Sequence, residues 1–163
     1  MTVVSILTDF GEGDDEAMLL KGVIWGIASH AKIADISHAV PAQDVVFGAR
    51  LLGESFLYFP AGSIHLAVVD PGVGTTRRGL AARLGMHYFV GPDNGLITGI
   101  YSKAKQHGWD ILLVELTNPS YWLEEINPIF HGRDIFAPVA GHLANGIDIY
   151  AFGKPFVDPI LLK

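Results

Sequence analysis

The sequence contains no cysteine, which excludes a disulfide framework and any thiolate-ligated zinc site. Basic residues are also scarce. Eleven Lys and Arg against 17 Asp and Glu leave a net charge of -6, and "TTRRG" (75–79) holds the only doubled arginine. Nucleic-acid binding needs a basic stripe to neutralise phosphates, and none is present. No run of eighteen apolar residues occurs, so no membrane span is expected. The N-terminus "MTVVSILTDFG" lacks a basic leader and reaches an aspartate at position 9, which reads as a strand and not as a signal peptide. These absences fit a cytoplasmic protein.

Half of the 163 residues are apolar and the mean hydropathy is +0.35, enough for one domain with a substantial core. Nineteen Gly and nine Pro are dispersed, as turns between many short elements require. "TVVSILT" (2–8) reads as a buried strand, 15–30 as a helix, 31–37 as a second strand and 63–70 as a third. In 41–60, apolar Val45, Ala49, Leu52, Phe56 and Phe59 follow helical spacing, with Asp44 as N-cap and Pro60 as stop. Residues 79–91 read as two strands around a Gly-Met turn, "DNGLITGIYSKAKQHG" as a helix and 110–116 as a strand. A helix over 133–146, starting near 134 to keep Pro138 in its first turn, stops at Asn-Gly. Strands alternating with helices predict an α/β fold, a three-layer domain with a mostly parallel central sheet flanked by helices. The apolar, Pro-rich end 152–163 departs from that pattern and stops in what reads as a new strand. Residues 1–159 are therefore expected to form one domain and 160–163 to begin a missing C-terminal one.

Loops after the carboxyl ends of such strands are where ligands bind. Asp9, Asp70 and the "GPDNG" turn (91–95) all occupy such positions. A carboxylate there, beside a glycine turn, suits the paired hydroxyls of a ribose. Asp14 and Asp15 serve equally as helix caps, and a metal site built from Asp9, Asp14, Asp15 and a histidine lacks any diagnostic spacing. Asp70 and Arg77 across "DPGVGTTR" form either a structural ion pair or part of a site. The Gly-Val-Gly turn lacks the lysine of a phosphate loop. Asp93 and Asn94 are turn formers or ligands of a polar substrate, and His38, a lone histidine, reads as a hydrogen-bonded core or loop residue. His30, His65, His87, His107 and His142 have no acidic neighbours and read as structural. In "FHGRD" (130–134), Arg133 and Asp134 suit a helix start, whereas His131 has no capping role to explain it.

The segments "TDFG…DD…KG" (8–22), "DISHAVPAQDV" (35–45), "FPAGSIHLAVVDPGVGTTRRG" (59–79), "FVGPDNGLIT" (89–98) and "FHGRDIFAPVAGHLANG" (130–146) resemble, in order and spacing, the S-adenosyl-L-methionine (SAM) hydroxide adenosyltransferases. That family, also called SAM hydrolases, is related to the fluorinases and chlorinases. The resemblance implies an N-terminal α/β domain followed by a β-barrel domain, assembled as a homotrimer, with SAM as the substrate and no cofactor or metal. It also implies a water-activating triad of Asp70, Arg77 and His131, with Asp9 on the ribose. Asp14, Asn94 and Phe130, in the same matching segments, are further substrate-binding candidates. The halogenases carry different residues at positions 70 and 131, so the resemblance points to the hydroxide-using branch.

Under this resemblance, water attacks C5′ and displaces methionine, a neutral thioether that needs no general acid. Arg77 is expected to favour hydroxide, His131 to take or relay the proton, and Asp70 to orient and stabilise the imidazolium. Halide transfer to C5′ and a non-catalytic SAM- or adenosine-binding fragment are the alternatives. Product chromatography separates the first and calorimetry beside a turnover assay the second.

Overall fold

The computed structural model describes every residue except Asp14, so the substrate-binding expectation for Asp14 lies outside the described residues. In chain order the strands and helices are β1 (Val3–Thr8), α1 (Glu16–Ile27), β2 (Lys32–Ser37), α2 (Val45–Ser55), β3 (Ile64–Val68), β4 (Gly79–Leu84), β5 (His87–Pro92), α3 (Thr98–Gln106), β6 (Ile111–Leu116), α4 (Ala137–Ala144) and β7 (Gly153–Phe156). One sheet runs in the order β2-β1-β3-β5-β4-β6-β7. β2, β1, β3 and β5 are mutually parallel, while β4 lies antiparallel between β5 and β6. β7 closes the edge antiparallel to β6. Five strands therefore share one direction and β4 and β7 oppose it, a mixed sheet whose parallel half carries the loops of interest.

Alternating strand side chains feed two cores. Val4, Ile6, Leu66, Val68 and Val90 meet α1 and α4 on one face, and Leu7, Ala67, Val69, Leu80 and Phe89 meet α2 and α3 on the other. Helices α2 and α3 cross so closely that a Cβ on Gly99 would lie 2.3 Å from the Ala49 carbonyl oxygen. Asp44 caps α2 as expected, accepting from the Phe47 N–H at 2.9 Å. The Gly-Met turn does join β4 to β5.

Two segments differ from expectation. Within 152–163, β7 pairs with β6, and Pro155, which lacks an N–H, is tolerated because the strand is at the edge. Residues beyond it lie along the "GPDNG" turn, where Ile160 N–H donates to Asp93 Oδ1 (2.9 Å) and Leu162 N–H to Thr98 Oγ1 (2.9 Å). The last long helix begins as a wide π turn, Gly132–Phe136, before α4 proper. Pro138 explains the irregularity. Having no N–H, it cannot bond the Asp134 carbonyl four residues back, and the Leu123 N–H takes that oxygen instead at 2.9 Å. Asn145 and Gly146 (φ 82°) end α4 as expected.

At the amino ends of the parallel strands, Ser5 Oγ, His65 and His87 form a buried chain. Ser5 Oγ lies 2.6 Å from His65 Nδ1, and His65 Nε2 lies 3.2 Å from His87 Nδ1. Burial, then the neighbouring His87, pushes the His65 imidazole down to about 3. The folded state thus binds this proton more weakly than the unfolded chain, whose histidine titrates near the ordinary 6.5. Stability from this residue is full above pH 6.5 and is expected to be lost as pH falls toward about 3, by up to about 1.4 kcal/mol per pH unit. Urea denaturation at stepped pH checks this, with His65→Gln expected to flatten that limb.

Candidate active site

Two loops that leave the carboxyl ends of β1 and β3, and the segment entering α4, converge on a cleft lined by Asp9, Phe10, Gln43, Val68, Asp70, Phe130 and His131. Its free volume is about 140 Å³, below the ~300–1,000 Å³ of sites that enclose a whole small molecule.

The loop after β3 is tightly wound. Val73 N–H donates to Asp70 O (3.2 Å), and Thr75 Oγ1 donates to Gly72 O (2.6 Å), which returns Arg77 to the strand tip. There the Arg77 guanidinium grips Asp70 twice, Nε to Oδ1 at 2.9 Å and Nη2 to Oδ2 at 2.5 Å. Both side chains are nearly buried, at 11% and 4% exposure, and the guanidinium also stacks over Phe136 at 5.2 Å. The ion-pair and the functional readings of this pair prove compatible, because the same Nη2 reaches His131 Nδ1 at 2.9 Å.

That contact sets the tautomer. A guanidinium only donates, so Nδ1 must accept and the neutral ring carries its proton on Nε2. Burial first, then the Arg77 charge, holds the His131 imidazole below its ordinary value, outweighing the Asp70 and Asp134 carboxylates. The expected roles change accordingly. Asp70 orients Arg77 and not the imidazole, and the one free lone pair of His131 faces Arg77, so the ring offers a donor in place of a base.

The remainder of "FHGRD" is structural, but not as a simple helix start. Asp134 is fully buried, pairs with Arg133 Nε (2.6 Å) and accepts the Asn127 N–H (2.7 Å), which anchors the loop ahead of His131. Arg133 lies 4.7 Å from the centroid of Phe130, and Phe130 packs edge-on against Phe10 at 6.0 Å. Phe130 is thereby held as an aromatic wall of the cleft.

Asp9 accepts the Gln43 N–H at 2.7 Å through Oδ2. Gln43 is the only non-glycine among the described residues with positive φ (63°), a conformation that costs an L-residue roughly 1–2 kcal/mol. Gln43 and Phe10 line the cleft and were not singled out as candidates. Phe10 lies inside the "TDFG" match, whereas nothing in "PAQD" announces a left-handed Gln43. Asn94 does not line the cleft: Nδ2 donates to Val69 O (2.8 Å) and Oδ1 accepts Leu96 N–H (3.2 Å), which steadies the backbone just before Asp70. Buried Asp93 is bound by Arg78 Nε (2.9 Å) and the Ile160 N–H. Among the described residues no three His, Asp or Glu side chains converge as metal ligands would.

Residues 4–153 match the family described as the SAM hydroxide adenosyltransferase N-terminal domain. The chain belongs to this family. It is 43% identical over 156 residues to the (R)-S-adenosyl-L-methionine hydrolase of Salinispora arenicola, covering 96% of this chain and 58% of that protein. A fluorinase of Nocardia brasiliensis is 26% identical over 184 residues, covering 99% of this chain and 60% of the fluorinase. An uncharacterized conserved protein from Thermotoga maritima shares the fold with a TM-score of 0.91 at 35% identity, over 98% of this chain and 61% of that one. The chain thus spans about three-fifths of the length of the relatives it matches. Family membership accounts for the motifs, and the geometry shows how they meet.

Gly74 couples the two halves of the cleft. It has φ 78°, and a Cβ there would lie 2.7 Å from Pro128 O in the loop that precedes His131. Gly74→Ala is expected to destabilise the protein by roughly 2 kcal/mol through backbone strain and this clash, read by chemical denaturation.

Proposed function

We propose that the full-length protein containing this chain hydrolyses SAM to adenosine and methionine by attack of a water or hydroxide at C5′. The observation that carries this reading is the single hydrogen-bonded unit Asp70–Arg77–His131, whose Asp70 and His131 line the same cleft as Asp9. Relatives named for the same reaction support it. Their name specifies the (R) form, and we extend that preference to this protein, to be tested by assaying the two sulfonium epimers separately.

The reaction asks little of acid–base chemistry. An oxygen lone pair bonds C5′, the C5′–S electron pair returns to sulfur, and one proton per turnover goes to solvent. The leaving thioether is neutral, so no group must protonate it. What helps is aim and charge. Asp9 has one carboxylate oxygen engaged by Gln43 and offers the other to the ribose hydroxyls. The His131 Nε2–H donates to the incoming oxygen, leaving a lone pair to face C5′. Arg77 fixes the His131 ring so that Nε2–H is the donor, and its pairing with Asp70 keeps the guanidinium charge from repelling the sulfonium. Phe10 and Phe130 screen the reacting centre from bulk water. With 140 Å³ enclosed by this chain, we further propose that a second domain and a neighbouring subunit of a homotrimer complete the site. We place this assembly in the cytoplasm.

In the full-length protein, Arg77→Ala or His131→Ala is expected to lower turnover by ~10²-fold or more, followed as adenosine release. Near-normal release by both variants would sink the assignment, and a 5′-halo-nucleoside formed in halide-containing buffer would favour the fluorinase-like alternative. The pH dependence follows from His131. The neutral ring is the active form, and its pKa is lowered, so the acid limb of kcat/KM is expected to fall below pH 6.5, with activity lost as pH decreases through it. A limb above 6.5 would contradict the neutral, Arg77-accepting ring.

A further inference from the structure

The reaction as derived above makes no use of His38. In the structure it is buried (7% exposed) at the end of β2, immediately beside the exit of β1. Its Nδ1 lies 2.8 Å from the fully buried Thr8 Oγ1, and its Nε2 lies 3.1 Å from Asp35 Oδ1 without forming a hydrogen bond. Lys21 of α1 holds the other Asp35 oxygen at 2.5 Å. The Thr8 hydroxyl can donate to Nδ1. That leaves the Thr8 oxygen to accept the Phe10 N–H, as it does at 3.2 Å. His38, Thr8 and the Phe10 N–H are thus linked in one buried chain.

This chain ends at the backbone that carries Asp9. The His38 carbonyl adds a second tie, accepting the Gly11 N–H at 2.8 Å. Asp9 and Phe10 therefore sit between two hydrogen bonds that both trace back to His38. A third tie, Gln43 N–H to Asp9 Oδ2, binds the same loop to the segment that follows His38. The β1–β2 ladder also shifts register here, pairing Ile6 with Asp35 but Leu7 with Ser37. The skipped residue turns the end of β2 so that His38 faces β1.

We propose that His38 is a positioning residue: through Thr8 and through its own carbonyl, it holds the Asp9–Phe10 loop against the Gln43 segment and so aims the carboxylate that grips the ribose. The proposal rests on the reading that Asp9 holds the ribose hydroxyls. His38 touches no substrate. Its side-chain effect passes through the Thr8 hydroxyl, so an isosteric loss of that hydroxyl should reproduce the loss of the imidazole.

The test compares kcat and KM for SAM with those for its 2′,3′-dideoxy analogue in the full-length protein. His38→Leu and Thr8→Val are expected to raise KM for SAM about tenfold with a smaller change in kcat, and to shrink the preference for SAM over the analogue by a similar factor. His38→Asn, whose Oδ1 can accept from Thr8, and Thr8→Ser are expected to restore most of that preference. Asp9→Asn is the reference. If it abolishes the preference while His38→Leu and Thr8→Val retain it, the proposal is overturned and the ribose reading stands. Should Asp9→Asn itself leave the preference intact, the ribose reading fails and the proposal with it. A lowered melting temperature in His38→Leu with unchanged preference, or equal losses in His38→Leu and His38→Asn, also overturns it.

Discussion

The guanidinium of Arg77 is the contact on which the cleft depends. With one face it closes a two-pronged pair with Asp70 at the tip of β3, and with the same Nη2 it reaches His131 at the entry to α4. Two segments separated by more than fifty residues are thereby held at hydrogen-bond distance. A lysine could not do this, because a point-like ammonium lacks the planar fork that serves a carboxylate and an imidazole at once. The arrangement also decides chemistry. By occupying the Nδ1 lone pair, Arg77 leaves the neutral His131 ring a donor through Nε2.

The surroundings keep that geometry from relaxing. Pro138 interrupts the helix ladder, the Asp134 carbonyl goes to Leu123, and the Asp134 carboxylate goes to Arg133 and Asn127. A break in regular structure is converted into an anchor for the loop that presents Phe130 and His131. Gly74 against Pro128 locks the β3 loop to the same place. On the opposite wall, His38 ties the exits of β1 and β2 together. The cleft is thus framed by cross-links between loops, while the sheet beneath supplies the fixed starting points.

Histidines show how position decides role in this fold. His65 and His87 lie at the amino ends of parallel strands inside an aromatic core, where burial lowers the pKa of both imidazoles. His38 and His131 lie at the carboxyl-end face, among loops and carboxylates. In the sequence these four look alike, apart from the company His131 keeps in "FHGRD".

By itself the sequence determined the alternation of strands and helices, because apolar spacing and turn residues are local signals. Asp44 as a cap, the Gly-Met hairpin and the Asn-Gly stop are all of that kind. It also marked Asp9, Asp70, Arg77 and His131, through motifs whose spacing matches a family. Only the tertiary structure decided who touches whom. The pairing of β7 with β6, the π turn forced by Pro138, the inward-turned amide of Asn94, the left-handed Gln43 and the relay through His38 rest on partners far away in the chain. Local propensity carries no record of such partners. Hydrogen-bond directions in a buried site are settled by which donor arrives, and that is a property of the folded arrangement.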